Sequence, residues 1–182
     1  DLFEFGDSPP KLSVEEVEEL YAWVARGLGL RSQLFVHILS NFSHDPVLPK
    51  GVLKLRLGSA KLVALNGFLL CLRVSGRRFY FTHGDFGARH GIIAALIGAF
   101  GRLIGVEMLF EKLLKKILRI EEEDWLICGH THFCGLDDEC RVGNPGGWGR
   151  HPARRPTYTA MLIDDEGVHM LRPAHGLNLE KE

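Results

Sequence analysis

Trp125-Leu126-Ile127-Cys128-Gly129-His130-Thr131-His132 decides how this chain is read. Four apolar residues in a row form a strand buried on both faces, and the strand runs straight into Gly-His-Thr-His. Gly129 allows a sharp turn where the strand stops. Histidine is the commonest metal ligand, because neutral imidazole offers a lone pair at physiological pH. Two histidines at i and i+2 of an extended chain project to the same side. His130 and His132 can then each address one ion of a close pair. A polar loop with two exposed histidines is the plain alternative, and the other strand ends decide between the two.

Two further apolar runs end in the same kind of loop. Residues 35–39 form a short strand that leads into Ser40-Asn41-Phe42-Ser43-His44-Asp45-Pro46, which is rich in turn formers. Residues 79–82 lead into His83-Gly84-Asp85. In α/β sheets, sites gather beyond the carboxyl ends of strands. Asn41, His83, His130 and His132 all stand at such ends, so they can converge. Amide oxygen mixed with imidazole suits Zn, Mn or Fe and needs no thiolate. Asp85 has two readings: an acceptor that orients a ligating histidine, or the N-cap of the helical region after it.

Composition sets the bounds. The chain has 182 residues, 46% of them hydrophobic and 25% charged, enough for a real core in a soluble domain. A net charge of −1 points to neither nucleic acid nor an acidic partner. Cys71 and Cys128 lie in apolar runs and read as small core residues. Cys134 and Cys140 fit no common zinc spacing; they form a local disulfide or are free thiols of a reducing cytosol. No signal peptide is legible, and the chain opens at Asp1 without Met, in the middle of something; by the thiol argument a cytoplasmic location is expected.

Along the chain, Ser13-Val14-Glu15-Glu16 has capping-box spacing, and apolar residues at helical intervals follow to Gly27. Asn66-Gly67 predicts a hairpin between strands at 62–65 and 68–74, and Gly76-Arg77 a second turn. Residues 92–120 are helical, with a break near Gly101 or Gly105. Residues 158–163 and 168–171 predict a closing hairpin. Hairpins mixed with helices, without strict alternation, predict an α/β fold with mixed sheets in a single domain over 1–182, with a helical insert at 86–121. The apolar stretch 92–110 is too interrupted to span a membrane. Its apolar residues spread beyond one face, which predicts a self-packed helix pair, ordinary core helices, or a surface open to lipid, with peripheral membrane contact as the last case.

These motifs resemble the calcineurin-like metallophosphoesterases over nearly the whole chain. That family's pattern is Asp-x-His, Gly-Asp, Gly-Asn-His-Asp or Gly-Asn-Arg-Asp, a lone His often followed by Gly, and Gly-His-x-His. Gly129-His130-Thr131-His132 matches the last motif fully. Thr82-His83-Gly84-Asp85 looks like the fourth, in the form of the UDP-2,3-diacylglucosamine hydrolases and their relatives. Asp1-Leu2-Phe3-Glu4 looks like the end of the second, and Asn144-Pro145-Gly146 resembles a loop that follows in the family. The third motif is irregular, with two extra residues between Asn41 and His44-Asp45. The Asp-x-His motif and its strand are absent.

The resemblance implies an αββα sandwich of two mixed sheets and a dinuclear site holding two divalent ions (Mn, Zn or Fe). It implies that Asp1 bridges the ions, that Asn41, His83 and His130 complete the second, and that His132 binds the first. His44 would contact substrate, though the insertion can displace it, and Arg89 could meet a phosphate near the metals. The implied activity is hydrolysis of phosphate esters or pyrophosphates, on a phosphorylated small-molecule, nucleotide-linked or lipid substrate. A nuclease, a phosphoprotein phosphatase or a non-catalytic scaffold that lost the first metal are the alternatives. With two ligands of the first ion missing, slow hydrolysis is expected from this form. The basic group Arg150, His151, Arg154 and Arg155 reads as an exposed loop or a substrate contact.

Overall fold

The computed structural model describes residues 10–31, 33–40, 45–48, 51–67, 69–86, 91–148 and 156–172. The fold is α/β with mixed sheets, and the chain divides into two compact units, Asp1–Leu70 and Cys71–Glu182.

The first unit pairs one helix with a three-stranded sheet. Helix α1 (Val14–Gly27) begins as its sequence predicts: the Ser13 side chain accepts from the Glu16 N–H, and the Glu16 carboxylate accepts from the Ser13 N–H. Strands β1 (Leu34–Leu39), β2 (Val52–Leu57) and β3 (Ala60–Asn66) take the order β1-β3-β2, with β1 parallel and β2 antiparallel to β3. Leu53 and Leu55 alternate with exposed Lys54 and Arg56, so one face of β2 meets Val17, Tyr21 and Val24 of α1. The hairpin predicted at Asn66-Gly67 does not form. Gly58-Ser59 makes the tight turn instead, pairing Leu57 with Ala60, and Asn66 is the last residue of β3. The next strand, β4 (Leu70–Val74), belongs to another sheet. The Asn-Gly pair thus ends a sheet rather than folding one back on itself.

A buried polar chain crosses this unit. The Tyr21 hydroxyl lies 2.7 Å from His37 Nδ1, and His37 Nε2 lies 3.7 Å from Asp45 Oδ1. Asp45 Oδ2 accepts the Ser40 N–H at 2.9 Å. Burial, with the Asp45 charge adding to it, raises the Tyr21 phenol well above its ordinary value.

The second unit is layered about a five-stranded sheet in the order β4-β5-β6-β8-β7. Its strands after β4 are β5 (Arg77–Thr82), β6 (Trp125–Cys128), β7 (Gly135–Asp137) and β8 (Val142–Asn144). Ser75 and Gly76, both at positive φ, form the turn from β4 to β5. Strands β5, β6 and β8 run parallel, and β7 is antiparallel to β8. All four residues of β6 are buried because both faces are covered. Leu126 and Cys128 face helices α2 (Gly91–Leu103) and α3 (Leu109–Ile117), packing with Ala94, Phe110 and Leu114. Trp125 and Ile127 face the opposite side with Phe79 and Val168, where the ribbon of β9 (Ala160–Ile163) and β10 (Val168–Leu171) lies. Gly143 permits that approach, since a Cβ there would sit 2.8 Å from the Met161 methyl.

The helical region breaks where glycine predicts it, at Ile104-Gly105, with Gly105 at φ 74°. One side of α2 packs inward through Ala94, while Ile93, Leu96, Phe100 and Leu103 are exposed. Among the described residues no helix is long and apolar enough to cross a membrane. Cys71 corrects the sequence reading: it is exposed on β4, because its apolar run forms a sheet-edge strand and not a core strand. All four cysteines are free.

Replacing Tyr21 by Phe tests the polar chain. Losing the hydroxyl from a fully buried hydrogen bond lowers stability by about 1–2 kcal/mol, read as a lower urea midpoint. An unchanged midpoint would show that the contact to His37 contributes nothing.

Candidate metal centre

Parallel pairing brings two of the predicted ligands together. Thr82 at the end of β5 is in register with Cys128 at the end of β6. One residue further, the Gly129 N–H donates to the His83 carbonyl at 3.0 Å. The two strands therefore release their chains side by side, and the His83 and His130 rings meet edge to face with centroids 5.3 Å apart. Gly84 makes the approach feasible. It has φ 113°, and a Cβ there would stand 3.1 Å from the His130 Cβ.

The Gly-His-Thr-His loop is not extended, which corrects the geometry expected from the sequence. His130 and His132 both have left-handed backbones, at φ 63° and 54°, and the Thr131 N–H donates back to the Gly129 carbonyl at 2.7 Å. Left-handed backbone costs a non-glycine residue about 1–2 kcal/mol, so the surroundings must hold it there.

They do so through three buried side chains. Asn144 ends β8 and is fully buried. Its Nδ2 lies 3.0 Å from the Gly129 carbonyl, 2.8 Å from Thr131 Oγ1 and 2.9 Å from Glu111 Oε1, so two N–H groups are shared among three acceptors. Its Oδ1 accepts the Gly146 N–H at 2.9 Å. The Thr131 hydroxyl donates to Glu111 Oε1 at 2.8 Å and accepts from the Phe133 N–H at 3.3 Å. Phe133 itself sits against Gly98 of α2, where a Cβ would be 2.8 Å from its ring, and the Arg102 guanidinium covers that ring at 4.2 Å. Both helices thus grip the loop.

A lysine fixes the approach to β6. Lys115 of α3 donates from Nζ to the carbonyls of Glu122, Asp124 and Cys140 at 3.1, 2.6 and 2.9 Å. Burial holds its ammonium below the ordinary lysine value. Arg78 of β5 clasps the Asp124 carboxylate with two nitrogens at 2.9 and 2.8 Å, joining the starts of the two strands whose ends carry histidines.

Electrostatics favour a lone pair at His83. Burial is the largest cause that pushes its imidazole down, to about 3. The Asp85 charge opposes the shift, while His130 and His132 add to it. His83 is therefore neutral at physiological pH, the state that ligates metal. Asp85 is buried, and its charge acts on this histidine, as the orienting-acceptor reading has it.

His132 packs elsewhere in the loop, over Gly147, where a Cβ would fall 2.9 Å from its Nδ1. Asp1, Asn41, His44 and Arg89 lie outside the described residues, as do Arg150, His151, Arg154 and Arg155. Among the described residues no group of three or more His, Cys, Asp or Glu side chains is placed to hold a metal ion. The described donors still fit a borderline cation in kind: imidazoles with no thiolate beside them, in a cradle that a Cβ at Gly84 or Gly147 would invade.

Glu111, Thr131 and Asn144 were not singled out by the sequence for this role. A signal existed in position: Glu111 and Lys115 are four residues apart on the stripe that Phe110 and Leu114 mark as inward-facing.

Gly147→Ala is the direct test of the cradle. The added methyl must push the His132 ring aside while leaving the secondary structure intact. Zinc affinity is expected to fall about tenfold with an unchanged circular dichroism spectrum, and equal affinity would remove His132 from the site.

No protein-family model matches the chain, and neither a curated protein nor a solved structure matches it.

Proposed function

We propose that this chain is a metal-dependent hydrolase of phosphate esters or pyrophosphates, of the calcineurin-like metallophosphoesterase type with its αββα sandwich. One observation carries the reading. Two histidines from adjacent parallel strand ends meet at 5.3 Å, beside a Gly-His-Thr-His loop held in left-handed backbone by buried hydrogen bonds. Strained backbone held in place by its surroundings is found at functional loops, and here it coincides with the two histidines.

In this proposal His83 and His130 would hold a divalent ion and His132 would serve a second, with Asp1 and Asn41, which lie outside the described residues, as the further ligands that the family resemblance implies. When bound, such ions supply Lewis acidity at the phosphoryl oxygens and a water acidic enough to attack near neutral pH. The chain's own part is to orient. His83 keeps its lone pair because burial keeps it neutral. Thr131 and Asn144 fix the directions of the flanking histidines by holding the backbone between them. The uncovered side of α2, with Leu96, Phe100 and Leu103 exposed, favours an amphiphilic phosphate ester over a soluble nucleotide. Each acyl methylene laid on that surface contributes about 0.8 kcal/mol.

Elemental analysis of the purified protein, beside a His83→Ala, His130→Ala double variant, tests the reading. The parent retains Mn, Zn or Fe and hydrolyses an aryl phosphodiester slowly and only with metal; the variant loses both properties. Phosphate esters differing only in acyl length should bind more tightly as the chain lengthens. Equal metal content in both proteins contradicts the metal site, and flat affinity across the series turns the substrate towards a nucleotide or phosphoprotein.

A further inference from the structure

We infer that Glu111 is a positioning residue of the candidate metal centre, setting the backbone of the His130-Thr131-His132 turn from the first turn of α3; its consequence for metal rests on the function proposed above. The side chain is 2% exposed. Among the described residues it makes no ion pair, and Oε1 takes the Thr131 hydroxyl at 2.8 Å and the Asn144 amide at 2.9 Å. A carboxylate buried without a cation is costly, so its retention needs compensation. Part comes from its place. Met108 is the N-cap of α3, which puts Glu111 three residues into the helix, where unpaired N–H groups and the helix dipole favour negative charge.

The other part comes from what the carboxylate organises. Thr131 must donate its hydroxyl proton towards Glu111, since it already accepts from Asn144 and Phe133. That polarity fixes the hydroxyl rotor. A fixed Thr131 side chain ties the residue between two left-handed histidines to a rigid helix. Asn144 extends the same restraint to the Gly129 carbonyl on one side and to Gly146 on the other. The next residue, Gly147, lies under the His132 ring. One carboxylate oxygen therefore reaches the backbone on both sides of His130 and the floor beneath His132. Phe110, its neighbour in sequence, has its ring 6.2 Å from the His130 ring, so the same helical turn also limits that imidazole.

The experiment compares Glu111→Ala and Glu111→Gln with the parent by two readouts. The first is amide hydrogen exchange in metal-free protein, with Leu126 as the internal reference because its N–H donates within the sheet to Arg141 at 3.0 Å. In the Ala variant, Thr131 and Phe133 should exchange at least about tenfold faster relative to Leu126. Gln keeps an oxygen for Thr131 and should restore protection. The second is zinc affinity, measured by competition with a chromogenic chelator at a temperature where all three proteins are folded. Ala should weaken it about tenfold or more, and Gln should recover most of it. A purely structural role would raise exchange uniformly, Leu126 included, and leave zinc affinity of the folded protein unchanged; that result overturns the inference. If the parent takes up no zinc, the phosphoesterase reading fails, while the exchange pattern still decides whether Glu111 holds the turn.

Discussion

The buried carboxamide of Asn144 is the constraint on which the candidate site depends. It donates towards a backbone carbonyl, a hydroxyl and a carboxylate, and it accepts a backbone N–H. Those partners come from β6's exit loop, from α3 and from the loop after β8. Few residue types could replace it: Asp offers no donors, and Leu would strand several buried polar groups, each at about 1–3 kcal/mol. Two histidines in left-handed backbone together cost on the order of 2–4 kcal/mol. A network with this many shared bonds is of the right size to offset that.

The layers around the sheet explain why the network can be buried. Strand β6 is covered by helices on one face and by the β9–β10 ribbon on the other, so water is excluded up to the strand's end. The same exclusion keeps His83 neutral and holds Lys115 below its ordinary value. It also raises the Cys128 thiol, with Glu111's charge adding to the effect, which makes that cysteine a core residue rather than a ligand. Polar groups at the edge of a dry sheet must find partners among themselves, and here they do so in a geometry that presents imidazoles.

Much of this was legible in the sequence where local rules and tertiary packing agree. The capping box at Ser13, a glycine break in the helical region, the closing ribbon and the buried Trp125 strand follow from local sequence, though Gly101 and Gly105 were equal candidates for the break. Failures occurred where packing overruled a local preference. Asn66-Gly67 is a strong hairpin signal, yet β3 already has partners on both edges, β1 and β2, so no hairpin could add to it there. Strand β2 was missed because its alternating Leu and charged residues are short and lie beside Gly and Pro. The extended geometry assumed for His130 and His132 failed because alternation holds only while the chain remains in a ladder, and β6 stops at Cys128. Glu111 was hidden because an acidic residue in the first turn of a helix is ordinary; its place beside Phe110 and Leu114 signals burial, but only the fold shows which groups it meets. His83 and His130 were identified from strand ends, and their approach depends on register, which the sequence does not state.

The most direct test of the central claim is to locate a bound cation by paramagnetic broadening. Manganese(II) added at a small fraction of the protein concentration should first erase the backbone amide resonances of Gly84 and of residues 129–132, leaving the rest of the spectrum intact. Broadening that begins instead at the exposed acidic residues 121–123, or that spreads evenly, would contradict a metal centre built on His83 and the Gly-His-Thr-His loop.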